Sequence, residues 1–238
     1  MKKILIIMAF FVLSLAMMVV AVDKSASVDG ASTTVNSAVR LADVTAGSDT
    51  TEAGNITDMD LDTTSRTGKW AAYLGEVSAA LKIGNASGTA LYNWGSVQND
   101  QIKSVFASTD SAFDFSALAA GTASELDTAL GWTGADADSA ASTFDDTTAT
   151  IATVTSVPVV NLNAYTAAGA VITTTYQSGL FEDTGSPAAY GDFAFGVKVT
   201  PDQKDYQNVT QVDYELLVPV NNSASGGTKT FYFFLDIE

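Results

Sequence analysis

The apolar positions of the chain fall into three kinds of pattern, and their order suggests an architecture. The first is a continuous run. Residues 4–22 are apolar apart from Ser14, and they follow the short positive segment Met1-Lys2-Lys3. Small, turn-favouring residues come next, at 25–30. The second kind is alternation. At 55–62, Met59 and Leu61 alternate with Asp58, Asp60 and Asp62. The stretch 70–83 fits two periods. Trp70, Leu74, Val77 and Leu81 make a helical stripe, whereas Val77, Ala79, Leu81 and Ile83 make a strand face. The Gly-Asn-Ala-Ser-Gly sequence at 84–88, followed by an apolar return over 89–94, decides for strands joined by a turn. A further short strand is predicted over 104–108. The third kind is helical spacing, carried by Phe115, Leu118, Leu126 and Leu130 over 115–130. A shorter helix is expected within 136–147, around Ala140, Ala141 and Phe144.

Alternation then resumes over 149–162, 170–177 and 193–199. In the last of these, Phe193, Phe195, Val197 and Val199 alternate with Ala194, Gly196 and Lys198. Segments 212–220 and 228–237 predict a closing hairpin across 221–227. The stretch Phe231-Tyr232-Phe233-Phe234-Leu235-Asp236-Ile237 is the most apolar piece after the leader. It is expected in the middle of a sheet or against a partner chain, because a free edge of that kind aggregates. The fold expected is mainly β: an antiparallel β-sandwich-like domain with a small helical insertion near 113–147, preceded by an N-terminal signal helix. Three parts follow. Residues 1–22 are a signal peptide or membrane anchor. Residues 23–52 are a Ser/Thr-rich arm or a first strand over 33–41. Residues 53–238 form one β-rich domain.

Val19-Val20-Ala21 offers the small residues of a signal-peptidase site, so residues 1–22 are read first as a cleaved export signal. A retained anchor and a pilin-type leader are the alternatives. The pilin reading is weaker, since neither Gly nor Ala stands just before the apolar run and the apolar helix does not continue past 22. Export places the protein outside the cell or on its surface, touching a membrane only through this segment if it is uncleaved. Cleavage removes two lysines and no acid, taking the formal charge from −16 to −18. Such a surface repels phosphate backbones, which argues against nucleic-acid partners. The acids are 21 Asp and only 6 Glu, and Asp favours turns and caps.

The chain has no Cys and no His. That excludes disulfides, thiol nucleophiles, Ser-His-Asp triads and Cys- or His-built zinc sites, and no cofactor is expected. Asp58, Asp60 and Asp62 are candidate cation ligands, although an EF-hand starting at Asp58 needs Gly at 63 and Glu at 69, where the chain has Thr63 and Lys69. The ordinary alternative for these acids, and for Asp136, Asp138, Asp145 and Asp146, is a solvated face. Trp70, Trp94 and Trp132 are equally suited to line a carbohydrate cleft or to fill a β-sandwich core. Thr67-Gly68-Lys69-Trp70 lacks the flanking residues of a phosphate loop. With no catalytic motif matched, the chain is read as a non-enzyme. Asn55, Asn85, Asn208 and Asn221 stand in Asn-x-Ser/Thr sequons and are glycosylation candidates.

Gly54-Asn55-Ile56-Thr57, then Trp70-Ala71-Ala72-Tyr73-Leu74-Gly75-Glu76-Val77-Ser78, then Leu91-Tyr92-Asn93-Trp94-Gly95 resemble a pattern of secreted archaeal cell-envelope β-rich proteins. Ser142-Thr143-Phe144 and Phe231-Tyr232-Phe233 are similar to that group as well. Its members often have Asn where this chain has Glu76. The leader and β-rich body also resemble camelysin-like and donor-strand fibre subunits. The resemblance implies a surface protein without known catalysis. Three functions are therefore weighed: a secreted or cell-surface structural or adhesive protein, in one form an extracellular filament subunit; a carbohydrate- or cation-binding extracellular module; and a carboxylate-based hydrolase. The first implies self-association or other cell-surface proteins as partners, with an arm that completes a neighbour's sheet.

Overall fold

The structure, a computed structural model, describes residues 27–36, 38–42, 66–97, 101–165, 171–183, 189–220 and 228–237, with isolated positions at 48, 50, 52–54, 56, 59, 60 and 187. The leader expected over 1–22 lies outside the described residues, as do Asn55, Asp58, Asp62 and Asn221. The described strands in chain order are β1 (Ser27–Gly30), β2 (Trp70–Gly75), β3 (Ala79–Gly84), β4 (Ala90–Val97), β5 (Ile102–Ser108), β6 (Ala119–Ala120), β7 (Asp146–Ile151), β8 (Val154–Tyr165), β9 (Val171–Glu182), β10 (Phe193–Lys198), β11 (Gln203–Lys204), β12 (Gln211–Val212), β13 (Tyr214–Pro219) and β14 (Tyr232–Ile237). Helices α1 (Ala123–Leu130) and α2 (Ala140–Thr143) form the insertion. The protein is mainly β with antiparallel pairing, as expected.

One antiparallel sheet carries the fold, in the order β1-β14-β5-β10-β9-β8-β7, with β6 added beside β9. Strand β10 lies at its centre, and residues Phe193 to Val197 are buried on both faces. The alternation read from the sequence is therefore large against small, not apolar against polar. Phe193, Phe195 and Val197 enter one core with Leu180, Leu216, Val218 and Phe144. Ala194 faces the other, with Phe106, Phe181 and Phe234. A Cβ at Gly196 would lie 2.5 Å from the Phe106 ring and 2.8 Å from that of Phe181. Only glycine lets those rings close over the strand, and Phe106 then meets Phe181 and Phe115 edge-on at 5.4 and 5.3 Å.

The first core is covered by a second layer, the β2–β13 pair with the α1–α2 insertion. Leu216 and Val218 of β13 are fully buried there. Two tyrosine hydroxyls tie the layers together. Tyr176 Oη donates to Val212 O at 2.6 Å, and Tyr190 Oη donates to Pro219 O. The second core is closed by the sheet itself, because Ile151, Val157 and Val159 of the β7–β8 hairpin join Phe106 and Phe181. Ile151 pairs with Val154, leaving a two-residue turn in which Ala152 and Thr153 both have positive φ, 48° and 66°. This is the turn geometry that Asn-Gly ordinarily fills.

Several expectations change. No strand forms at 33–41 among the described residues; the first strand is Ser27–Gly30. The stretch 70–83 is strand, as read, but it divides into β2 and β3, which belong to different sheets. The helix expected over 115–130 begins only at Ala123. Before it, a 3-10 turn at Phe115–Ala117 sends Phe115 to the Phe106 cluster, and Ala119 and Ala120 pair with β9. Segment 149–162 falls across a hairpin, not within one strand. Segments 212–220 and 228–237 do not form a closing hairpin: β13 pairs with β2, whereas β14 lies between β1 and β5. The long connection lets each strand take the partner that buries it best. Leu216 and Val218 go under the second layer, and Phe234 meets Phe115 at 4.9 Å. The last strand is interior, as its composition required.

Two substitutions test this account. Gly196→Val should destabilise the fold by about 2 kcal/mol, in the range of overpacked cores. Thr153→Gly should stabilise it by about 1 kcal/mol by relieving a left-handed β-branched residue. Urea denaturation midpoints report both, and a neutral result at Gly196 would contradict the close approach of Phe106.

Candidate functional site

Strands β3 and β4 form a two-stranded ribbon that pairs with no other strand among the described residues. Its turn is set by Asn85, whose Oδ1 accepts from the N–H groups of Ser87 at 3.1 Å and Thr89 at 3.0 Å. Its base is fixed to the body. The Val77 N–H donates to Asp213 Oδ2 at 3.0 Å, and Val77 and Ala79 pack against the first core. Beyond that base the ribbon leaves the body. Leu81, Ile83, Tyr92 and Trp94 remain 47%, 51%, 60% and 62% exposed. The register places Ile83 opposite Tyr92 and Leu81 opposite Gly95, with Trp94 as a bulge residue. Gly95 takes φ +85° there, and its N–H donates to Asn93 Oδ1 at 2.8 Å. The four apolar side chains share one face, on which the Tyr92 and Trp94 rings meet edge-on at 5.0 Å.

The other tryptophans are spent internally. Trp70 and Trp132 meet edge-on at 5.5 Å, and Trp70 also meets Phe144 at 5.7 Å. Trp70 Nε1 donates to Asp138 O at 2.8 Å. Trp94, on the ribbon, does not join them, so the three do not line one cleft. Asp136 and Asp138 keep much of their side-chain surface exposed, as expected of a solvated face, and also clamp Lys69, whose Nζ lies 2.8 Å from Asp136 Oδ2 and 2.8 Å from Asp138 Oδ1. Thr67 Oγ1 also donates to Asp138 Oδ2 at 2.8 Å. The same ammonium stands 5.1 Å from the centroid of the Trp132 ring. This latch fastens the insertion to the start of β2. Partial burial of Lys69 opposes its charge, but the two carboxylates outweigh that and hold its pKa above the ordinary value. The Lys69 hydrogen bond holds Asp138 below the usual carboxylate range.

Buried acids serve as internal caps, which the sequence reading did not anticipate. Asp213 Oδ1 accepts from the Asp202 N–H at 3.2 Å, Asp205 Oδ1 from the Val209 N–H at 2.9 Å, and Glu215 Oε1 from the Tyr206 N–H at 2.6 Å. On α1, buried Asp127 takes the Ala140 and Ala141 N–H groups at 2.7 and 3.0 Å. Spacing to distant partners in the chain is the only signal for such roles, and one sequence does not display it. Among the described residues, no group of three or more Asp or Glu side chains gathers as a metal site. Of the three candidate cation ligands only Asp60 is described, and it is exposed. Asn85 and Asn208 are exposed in turns.

At the far edge of the main sheet, β1 pairs antiparallel with β14 from Ser27 opposite Ile237 to Gly30 opposite Phe234. The Ala31 N–H continues the ladder to Phe233 O at 2.8 Å. Where the arm then leaves the edge, Ala31, Thr33, Ser111 and Tyr232 border a groove of about 280 Å³. Among the described residues, no helix is long and apolar enough to cross a membrane. Comparison of the chain with protein-family models, curated proteins and solved structures finds no match.

The titrating groups predict an acidic stability optimum. Burial raises the pKa of Glu182, Asp183 and Glu215. Their contribution is complete below the unfolded pKa and is lost as pH rises through the folded value. Asp138 is depressed, so its contribution is present above the unfolded pKa and is lost as pH falls through the folded one. The melting temperature should therefore rise as pH is lowered from 7, peak at about pH 4 to 5, and fall below about pH 3.5. Calorimetry across that range checks it; a maximum at neutral pH would contradict the assignment.

Proposed function

We propose that the protein is an exported structural or adhesive component of the cell surface, acting by contact and assembling with copies of itself. The observation that carries this reading is the way β1 is held. It is a four-residue strand at the end of a long N-terminal arm, and its register is defined by main-chain pairing with β14. Main-chain pairing of this kind transfers between copies without new side-chain contacts, since the identical edge exists on every molecule. The connection over 31–69 contains no regular strand or helix among its described residues, and Val35, Val39 and Ile56 along it are exposed. Exchange of β1 onto the β14 edge of the next copy gives a head-to-tail fibre.

The chemistry of the chain supports the same reading. A formal charge of −16 with no cysteine suits a hydrated surface protein held by burial and backbone pairing. Exposed Asn85 and Asn208 offer glycan attachment on that surface. The likeness to secreted archaeal envelope proteins and fibre subunits agrees with it.

The arm is the part to remove. Deletion of residues 23–31 should leave a folded protein with unchanged strand content by circular dichroism. Electron microscopy should show fibres from the chain with its arm and none from the truncated one. A synthetic peptide spanning 23–33 should bind the truncated protein. Fibres that persist without the arm would remove this reading.

A further inference from the structure

The β3–β4 ribbon presents an apolar face that the body of the protein does not cover. We propose that this face is a self-docking surface: the Leu81, Ile83, Tyr92 and Trp94 face of one copy packs against the same face of a second copy across a two-fold axis. The inference rests on the reading of the protein as one that works by self-association, but it uses a surface separate from the arm.

Three observations lead to a second copy. The first is stability. A two-stranded ribbon is marginal in water unless a face is packed, and among the described residues this ribbon meets the core at its base, through Val77 and Ala79. A second ribbon laid on the first supplies the missing layer. The second is area. The four side chains leave on the order of 400 Å² of apolar surface in water, judged from their exposed fractions. That matches the largest patches seen on monomers, which are often functional. It is about half of what each partner buries in a standard interface, so the contact these four side chains make between two copies is a weak one, formed at high concentration. The third is charge. In a chain with 27 acids, residues 77–99 contain none, and Lys82 is their one charged residue. Two molecules of charge −16 that meet through this segment bring no carboxylate of the ribbon against another. An acidic partner would find one cation to answer it, and a cationic partner would find its attraction elsewhere on the molecule. The face therefore selects an uncharged, apolar counterpart, and its own copy is one.

The geometry favours the face over the edge. Strand β4 carries two register shifts, near Trp94 and near Leu91. Bulges of this kind interrupt the outer ladder and twist the strand, which discourages edge pairing. They also keep Trp94 on the side of Tyr92. A two-fold contact then repeats each aromatic contribution, so the Tyr92–Trp94 pair of one copy meets the aliphatic Leu81 and Ile83 of the other.

The test is sedimentation equilibrium on the full chain with three variants. Ile83→Lys and Trp94→Lys put a charge on the docking face. Ser96→Lys puts the same charge on the opposite face, since Ser96 pairs with Ala80. The unaltered chain should self-associate, and with residues 23–31 deleted it should stop at a dimer. The first two variants should weaken association at least tenfold, and the third should leave it within twofold. Circular dichroism of each variant should match the unaltered chain, because all three positions are exposed. Emission from Trp94 should also move to shorter wavelength as concentration rises. The proposal is overturned by a chain that stays monomeric at several hundred micromolar, or by equal weakening from Ser96→Lys. It is overturned too if Trp94 emission shifts only when an oligosaccharide or an unrelated protein is added. Deleting residues 23–31 separates the two interfaces. A dimer that survives the deletion while fibres are indifferent to the arm removes the arm reading alone. Fibres that need the arm, built from a chain whose association ignores Trp94→Lys, remove the ribbon reading alone.

Discussion

The closure of Phe106 and Phe181 over Gly196 is the contact on which the rest of the architecture depends. A strand buried on both faces must satisfy two cores at once, and β10 does so by placing Phe193, Phe195 and Val197 on one side and Ala194 and Gly196 on the other. The small side is what allows the aromatic cluster to sit flush against the sheet. With that face filled from within, the β7–β8 hairpin can close over it. With the large side projecting, the β2–β13 pair and the helical insertion have something to cover. A bulkier residue at 196 would separate the sheet from its own aromatic cover.

Acidic residues have two different roles in this molecule. Among the described residues, many stand exposed in loops, Asp110, Asp114, Asp145 and Asp202 among them, where they keep the surface hydrated. A smaller set is buried and acts as hydrogen-bond acceptors for main-chain N–H groups: Asp127 for the start of α2, Asp205 for its own loop, Asp213 for the base of the ribbon and Glu215 for Tyr206. A third arrangement, Asp136 and Asp138 on Lys69, joins the insertion to β2. In a chain without cysteine, carboxylates that reach across the chain thus provide side-chain cross-links.

The strand content was legible from two signals: the large-small alternation of β10, which is buried on both faces, and the apolar run that became β14. The β3–β4 ribbon was legible for a different reason: Asn85 and Gly88 advertise their turn. The β7–β8 turn was hidden because Ala152 and Thr153 occupy a geometry that neither residue advertises. The pairing of β13 with β2 was hidden because partners so far apart in the chain leave no local trace, and adjacency in sequence favoured the wrong hairpin. The late start of α1 goes with the 3-10 turn at Phe115–Ala117 and the pairing of Ala119, Ala120 and Gly121 with β9, long-range contacts that helical spacing cannot reveal. Among the site residues, the sequence identified Trp94 as noteworthy but could not separate it from Trp70 and Trp132. Exposure alone distinguishes them, and exposure is a property of the folded chain.

The antiparallel lie of β1 on β14 has a mechanical consequence. A force drawn along the axis of β1 loads its rungs in parallel, so that they must rupture together. A force at right angles opens them singly, starting from one end. A joint of this design resists stretching far better than peeling, and the direction of tension decides how firmly it holds.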